Sequence, residues 1–175
     1  MRNQKIVVLM GSKSDYTFAQ RIGNFLEKSG FTVKCEYSVS SAHRTPDILL
    51  DKLKKYAESG DAIVFVTVAG LSDALSGVVA GTSTYPVIAC PPDIEASGWA
   101  KAFSSIMTPT GVPVLLVSTP ENAALAALKI LALGDSLLRA EIERYIDTKR
   151  KEITQVDKQI ASKKHEKKAE DLGHL

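Results

Sequence analysis

The sequence is poor in the residues that build many kinds of functional centre. Among 175 residues there are two cysteines, three histidines and one tryptophan, and aromatic residues make up 6%. Cys35 and Cys90 lie far apart and lack the spacing of a metal site, so we expect two buried free thiols in a reducing compartment rather than a disulfide. No group of His, Asp or Glu has metal-ligand spacing either. The sequence therefore predicts neither a metal centre nor a disulfide framework.

Long apolar runs and a strong charge imbalance are also missing. No run reaches the roughly eighteen apolar residues of a membrane span, and no apolar segment typical of a secretory signal follows Met1. The formal net charge of +2 is too small to indicate a nucleic-acid partner. Even this excess is local, because residues 149–168 contain eight Lys or Arg against three Asp or Glu. We expect a cytoplasmic protein without a membrane anchor. The basic segment is then a solvated helix face or, alternatively, a contact with an anionic surface.

Several nucleotide-binding and catalytic motifs are absent as well. The chain has no Walker motif and no dinucleotide glycine fingerprint. It also has no serine or cysteine nucleophile in a strand-turn-helix elbow. ATP hydrolysis, hydride transfer and covalent hydrolysis therefore lose support.

Apolar runs do alternate with helical periodicities as far as residue 133. Continuous apolar runs such as 6–10 and 62–68 are typical of strands buried on both faces of a parallel sheet. Such alternation predicts an α/β three-layer sandwich with a central parallel sheet, flavodoxin-like or Rossmann-like, and a long C-terminal helix. The predicted strands are 6–10, 31–39, 62–68, 86–90 and 113–117, of which the second is the least apolar and is expected nearer an edge.

The chain divides into three segments. Residues 1–134 form the predicted α/β catalytic domain, 135–161 a C-terminal helix, and 162–175 a basic, disordered tail. A helix of this length would overshoot a small domain, so we expect it to pack on a neighbouring subunit of a homo-oligomer. Its apolar stripe comprises Leu138, Ile142, Tyr145, Ile146, Ile153, Val156 and Ile160.

Polar loops follow three of the predicted strands, at residues 11–15, 40–44 and 69–73. Ligands of open α/β sheets bind beyond the carboxyl ends of the strands, so these loops are candidates for one shared site. In the third loop, however, Asp73 can equally be the cap of the helix that follows.

The first loop has the features of an anion site. Gly11 lets a ligand approach the backbone, and the helix N-terminus that follows favours negative charge. Ser12 and Ser14 can donate to a phosphate, while Asp15 can accept from a ribose hydroxyl. The alternative is that Ser14 or Asp15 only caps the helix.

The second loop carries the candidate for proton chemistry. His43 is followed by Arg44, whose guanidinium suits a carboxylate or phosphate, and by Thr45 and Pro46, a plausible N-cap and first helical residue. An imidazole exchanges protons readily near neutral pH, and the other two histidines lie in the lysine-rich tail. The alternative is a loop histidine satisfied by its neighbours. Pattern alone thus indicates a phosphate-bearing small molecule and one histidine acid/base.

Taken together, the loop motifs resemble the signature stretches of the aminoimidazole ribonucleotide carboxylase/mutase family of purine biosynthesis. The resemblance runs from about residue 5 to residue 135 in the family's order. The motifs are 11–15 (Gly-Ser-Lys-Ser-Asp), 41–46 (Ser-Ala-His-Arg-Thr-Pro), 69–70 (Ala-Gly), 86–92 (Pro-Val-Ile-Ala-Cys-Pro-Pro), 109–113 (Pro-Thr-Gly-Val-Pro) and 122–127 (Asn-Ala-Ala-Leu-Ala-Ala).

This resemblance implies carboxylation at carbon 4 of an aminoimidazole ribonucleotide, with no metal and no organic cofactor. It implies a homo-oligomer, typically a tetramer or octamer, whose partners are the ribonucleotide and CO2. It makes His43 the catalytic residue, which removes the proton from carbon 4. The substrate-binding positions that it implies are Gly11, Ser12, Ser14, Asp15, Ser41, Ala42, Arg44, Gly70 and Ser72.

Two branches of the family are distinguished by the third loop. The mutase branch, which uses N5-carboxyaminoimidazole ribonucleotide, typically has Gly-Gly-Ala-Ala-His-Leu-Pro-Gly there, with a second histidine. The carboxylase branch, which uses CO2 directly, usually has Ala-Gly-Arg-Ser-Asn-Ala-Leu-Ser-Gly. Residues 69–77 (Ala-Gly-Leu-Ser-Asp-Ala-Leu-Ser-Gly) are closer to the carboxylase form, although Leu71 and Asp73 replace its arginine and asparagine.

The second loop points the other way, because Arg44 is the mutase residue where carboxylases often have lysine. We expect a carboxylase, with the mutase as the alternative. A non-catalytic nucleotide-binding protein on the same fold is the further alternative.

Overall fold

A parallel sheet of five strands lies at the centre of the computed structural model, which describes residues 3–92, 94 and 100–172. In space the strands follow the order β2-β1-β3-β4-β5, with every neighbouring pair parallel. The predicted α/β fold with a central parallel sheet is therefore confirmed, and β2, the least apolar strand, does lie at an edge. In chain order the strands are β1 (Gln4–Met10), β2 (Lys34–Val39), β3 (Ala62–Val68), β4 (Val87–Ala89) and β5 (Leu115–Leu116).

Helices connect the strands and cover both faces of the sheet. Two of them, α2 and α5, have proline in their first turn, where its missing N–H costs nothing. The helices are α1 (Tyr16–Lys28), α2 (Pro46–Glu58), α3 (Ala74–Thr82), α4 (Ala100–Ile106), α5 (Pro120–Leu131) and α6 (Ser136–Leu172), with 3₁₀ turns at Lys13–Asp15 and Ala132–Gly134. After Pro91 and Pro92 the sequence also predicts an irregular or helical stretch that contains Trp99, and this stretch lies largely outside the described residues.

Alternate residues of the strands build two hydrophobic cores, one on each face. In β1, Ile6 and Val8 face the core formed with α1, α5 and the start of α6, whereas Val7 and Leu9 face the core formed with α2 and α3. Because both faces are covered, the inner strands β1 and β3 contain long continuous apolar runs, as the sequence shows. The result is the predicted three-layer sandwich.

From the sequence, the buried stripe of α2 is predicted to comprise Leu49, Leu50, Leu53, Tyr56 and Ala57, and this is only partly correct. Leu49 and Leu53 are buried, but Leu50 is 45% exposed and Ala57 is exposed too. A helix turns by about 100° per residue, so a neighbour of Leu49 points well away from the sheet. The buried stripe of α2 is therefore narrower than its apolar residues suggest.

The C-terminal helix is longer than predicted. It extends from Ser136 to Leu172, well beyond the end expected at residue 161. The apolar stripe ends at Ile160, but the Lys, Glu and Ala residues that follow favour helix without any packing. A charged helix without packing partners is only marginally stable in water, so the disorder expected for residues 162–175 stays a prediction. Residues 173–175 lie outside the described residues.

Both cysteines are free. Cys90 is buried and Cys35 is half-buried. Burial raises the pKa of the Cys35 thiol to about 11 and that of Cys90 to about 12, so both are protonated at neutral pH. They are packing residues, as expected.

None of the helices in the described part of the chain is long and apolar enough to cross a membrane.

Candidate functional site

The loops after β1, β2 and β3 meet at the carboxyl edge of the sheet. They enclose a cavity of about 470 Å³. All ten site residues predicted from the sequence line it, together with Ala69, Leu71 and Leu75. The structure therefore brings the predicted residues together, while their individual roles stay predictions. The ten are Gly11, Ser12, Ser14, Asp15, Ser41, Ala42, His43, Arg44, Gly70 and Ser72.

The first loop is held by the carboxylate of Asp15. Oδ2 of Asp15 accepts hydrogen bonds from Ser12 N at 2.9 Å and from Ser12 Oγ at 3.1 Å. The Oγ atoms of Ser12 and Ser14 are 2.5 Å apart. Asp15 is buried, and these hydrogen bonds form a capping box that fixes the 3₁₀ turn at Lys13–Asp15, whereas its side chain makes no capping hydrogen bond to α1 of the kind the alternative expects. Its Oδ1 atom points toward Gly70 of the third loop and remains available to a ligand.

Glycine at position 11 permits close contact between two loops. Gly11 N donates to Val68 O at 2.9 Å. A Cβ atom at position 11 would be 3.4 Å from Ala69 Cβ and 3.6 Å from Asp15 Oδ2. A Cβ atom here would therefore make ordinary van der Waals contacts with Ala69 and with the carboxylate that holds the first loop.

The second loop is closed on itself by Ser41 and Thr45. Ser41 N donates to Thr45 Oγ1 at 3.1 Å, and Thr45 Oγ1 and Thr45 N donate to Ser41 O at 3.2 and 2.9 Å. Ser41 Oγ also accepts from Arg44 N at 3.2 Å. Thr45 occupies the predicted N-cap position before Pro46, but its side chain closes the loop instead of capping α2.

His43 and Arg44 are exposed at the cavity, and neither side chain forms a hydrogen bond with the described residues. The alternative of a histidine satisfied by its neighbours thus finds no partner in the described part of the chain. An imidazole and a guanidinium without protein partners are free to meet a ligand.

The third loop is anchored by Asp73, which does not line the cavity. Asp73 is 4% exposed, and its Oδ1 accepts from Ser76 N at 3.0 Å. Its Oδ2 accepts from Ser76 Oγ and from Ser105 Oγ, each at 2.6 Å. Asp73 is therefore the cap of α3, as the structural alternative held. Aspartate and asparagine both cap helices well, which explains why aspartate can stand where the carboxylase motif has asparagine.

Leu71 is the least expected residue of the site. Its φ of +58° lies in the left-handed region, which costs about 1–2 kcal/mol for a residue with a Cβ atom. Its side chain lines the cavity and is 83% exposed. Sequence reasoning gave Leu71 no role, and leucine carries no signal for this backbone conformation.

A larger cavity of about 660 Å³ lies at the opposite edge of the sheet. Its carboxylates already have partners within the chain, since Asp61 pairs with Lys5 Nζ at 2.9 Å and Asp135 Oδ1 caps α6 by accepting from Leu137 N at 2.9 Å. The lysine lowers the pKa of the Asp61 carboxyl. Neither His nor Arg lines this cavity, so its described lining offers no comparable chemistry.

Comparison with known proteins gives a consistent result. Residues 5–152 match the family model described as AIR carboxylase. The chain is 42% identical over 156 residues to phosphoribosylaminoimidazole carboxylase of Archaeoglobus fulgidus, covering 89% of this chain and 84% of that protein. It is 38% identical over 157 residues to N5-carboxyaminoimidazole ribonucleotide mutase of Methanocaldococcus jannaschii, covering 89% and 96%.

A solved structure agrees with the fold. The crystal structure of Treponema denticola PurE superposes with a TM-score of 0.84 at 33% sequence identity, covering 89% of this chain and 98% of that chain.

Proposed function

Since the chain belongs to the AIR carboxylase family and is an enzyme of that family, we propose that it carboxylates aminoimidazole ribonucleotide directly with CO2. The product is 4-carboxyaminoimidazole ribonucleotide. The observation that carries this proposal is that the cavity holds one imidazole, that of His43, which has no hydrogen bond to the described residues, while Ala74 stands where the mutase motif has its second histidine.

A single imidazole suffices for the direct reaction. Carbon 4 of the aminoimidazole is enamine-like and forms a bond to the carbon of CO2 without prior activation. The proton on carbon 4 then leaves to His43, and the electron pair of that C–H bond restores the aromatic ring. Holding CO2 next to carbon 4 in a small cavity lowers the barrier to bond formation, because the two reactants are already close and oriented.

The two branches differ in their demand for protons. A mutase must also release CO2 from the carbamate, which requires a proton on the carbamate nitrogen. In that alternative His43 donates this proton first and removes the proton of carbon 4 afterwards. Since relatives of similar identity carry either name, the mutase remains the alternative function.

The remaining site residues have roles that fit their positions. The hydroxyls of Ser12 and Ser14 face the cavity beside the backbone of Gly11, which suits the ribose phosphate. Asp15 Oδ1 accepts a hydrogen bond from a ribose hydroxyl. Arg44 balances the negative charge of the phosphate or of the new carboxylate. We assign Ser41, Gly70 and Ser72, small residues that line the cavity, to the side where CO2 binds.

Separate assays with the two substrates test the proposal. One assay contains aminoimidazole ribonucleotide with bicarbonate, and the other contains N5-carboxyaminoimidazole ribonucleotide. A carboxylase forms the 4-carboxylated product in the first assay faster than spontaneous breakdown of the carbamate allows in the second. Product in the second assay alone would establish the mutase, and no product in either would favour a non-catalytic binding protein.

We further propose that the protein is a cytoplasmic homo-oligomer. The two protonated free thiols fit a reducing compartment. The distal part of α6 exposes Ile153, Val156 and Ile160, which a neighbouring subunit would bury.

A further inference from the structure

The ammonium group of Lys52, in α2, binds the end of β2 with three hydrogen bonds. Nζ of Lys52 lies 2.8 Å from Ser38 Oγ, 2.8 Å from Val39 O and 2.9 Å from Ser40 Oγ. Ser40 Oγ in turn donates to Val39 O at 2.7 Å. An ammonium group has three protons, so the donor capacity of Lys52 is filled by these three acceptors.

These contacts join the two stems of the loop that carries His43. The loop leaves the sheet at Ser40, whose N–H donates to Met10 O at 2.9 Å, and it enters α2 at Pro46. Between the stems, the side-chain hydrogen bonds of Ser41 and Thr45 stay within the loop. The position of His43 relative to the sheet is therefore set by the stems, and Lys52 connects one stem to the other.

We propose that Lys52 is a positioning residue for His43. By fixing α2 against the end of β2, Lys52 holds the imidazole at the distance from carbon 4 that proton removal requires. This inference rests on the proposed function, in which His43 is the acid/base. Without the three hydrogen bonds, the loop retains its internal bonds but moves as a unit relative to the phosphate site of the first loop.

Replacement of Lys52 by methionine tests the proposal, because methionine keeps an apolar stem and removes all three donors. A small displacement of a catalytic group is costly, so we expect Lys52→Met to lower kcat about 10-fold. KM should change by a smaller factor than kcat, because only the contacts of the second loop, such as that of Arg44, move with His43, while the first loop retains its phosphate contacts. The matched control is Lys54→Met on the same helix, where the lysine is exposed and has no hydrogen bond to the described residues. A kcat of Lys52→Met within about twofold of the wild-type value would overturn the proposal.

Histidine NMR measures the position of the imidazole directly. The chain has three histidines, and those at 165 and 174 serve as internal references. We expect Lys52→Met to shift or broaden the His43 ring signals and to leave the other two unchanged. A merely structural lysine would lower the unfolding temperature without changing the His43 signals, and that result would contradict a positioning role.

A milder variant covers the case in which Lys52→Met does not fold. Ser38→Ala removes one of the three acceptors of Lys52. We expect it to lower kcat about two- to threefold and to shift the His43 ring signals in the same way as Lys52→Met, but less. An unaltered rate and spectrum would again overturn the proposal.

Failure of this inference differs from failure of the proposed function. No product in either substrate assay would refute the function itself, and full activity of His43→Asn would refute the acid/base role of His43 on which this inference rests. Loss of activity in His43→Asn with normal Lys52→Met would refute the positioning role alone.

Discussion

His43 and Arg44 are the cavity side chains that are free to exchange partners during a reaction. The carboxylate of Asp15, by contrast, is buried and already binds Ser12 through one oxygen. A proton acceptor must lose its proton again in each turnover, and exposure to the cavity lets the His43 imidazole do so. At the scale of single residues, we therefore propose that the chemistry depends on His43.

We predict that His43→Asn folds normally but lowers kcat about 100-fold or more, the usual effect of removing a general acid/base. Asparagine retains a polar side chain of similar reach and cannot take up a proton near neutral pH. Steady-state kinetics with the active substrate measure the loss, and titration with the carboxylated product checks that ligand binding survives. Turnover within about threefold of wild type would contradict the assignment of His43.

The sequence predicted which residues meet at the cavity, but the structure leaves the role of each residue a prediction. Gly11, His43 and Arg44 lie where the strand-loop-helix pattern placed them, because parallel strands bring their carboxyl ends to one edge. The left-handed backbone of Leu71 was not predictable, because the surrounding structure imposes it on a residue that disfavours it. The three hydrogen bonds of Lys52 join α2 to the end of β2, and no local sequence pattern predicts contacts between two separate elements.

At the scale of elements, the apolar runs predicted the existence of each strand well and the length of the strands less well. β3 begins and ends where its apolar run does. β5 contains only Leu115 and Leu116 of the five residues predicted, since an apolar run does not show where hydrogen-bonded pairing stops. Pairing is decided between strands, so strand length is the part that sequence reasoning could not supply.

The helix α3 is stabilised at its N-terminus by one side chain, that of Asp73, which accepts three hydrogen bonds. Replacing Asp73 by alanine removes the acceptor of Ser76 N and leaves two serine hydroxyls without their partner. We predict a loss of about 2–4 kcal/mol in the free energy of unfolding, measured by urea denaturation.

Asp73→Asn is the matched control for that prediction. Asparagine still caps α3 through its carbonyl oxygen but can accept fewer of the serine hydrogen bonds, so we expect a loss of about 1 kcal/mol. Equal stability of the alanine and asparagine variants would show that the hydrogen bonds of Asp73 do not stabilise α3.

At the scale of the whole molecule, α6 is anchored at its start and free at its end. Leu138 and Ile142 are buried in the core, and Glu141 accepts from Thr32 N at 3.2 Å and Thr32 Oγ1 at 2.9 Å. These contacts fix the direction of a helix about 55 Å long. Removing all of α6 would uncover the core, so deletion of the helix cannot test assembly alone.

Substitutions on the free part of α6 test assembly without disturbing the core. Ile146, Ile153 and Ile160 are separated by seven residues, which places them on one side of the helix. Ile153 is 72% exposed and Ile160 is 57% exposed, so neither contributes to the stability of the single chain.

We therefore predict that the double variant Ile153→Lys/Ile160→Lys has a lower mass in solution than the wild type, measured by light scattering or sedimentation. Two lysines on this side would have to be desolvated in a packed interface, which opposes association. The matched control is Gln155→Lys/Ser162→Lys, which adds the same charges with the same spacing on the opposite side of α6. Equal masses for the wild type and both variants would mean that this side of α6 does not hold subunits together, and assembly would then have to use the α/β body.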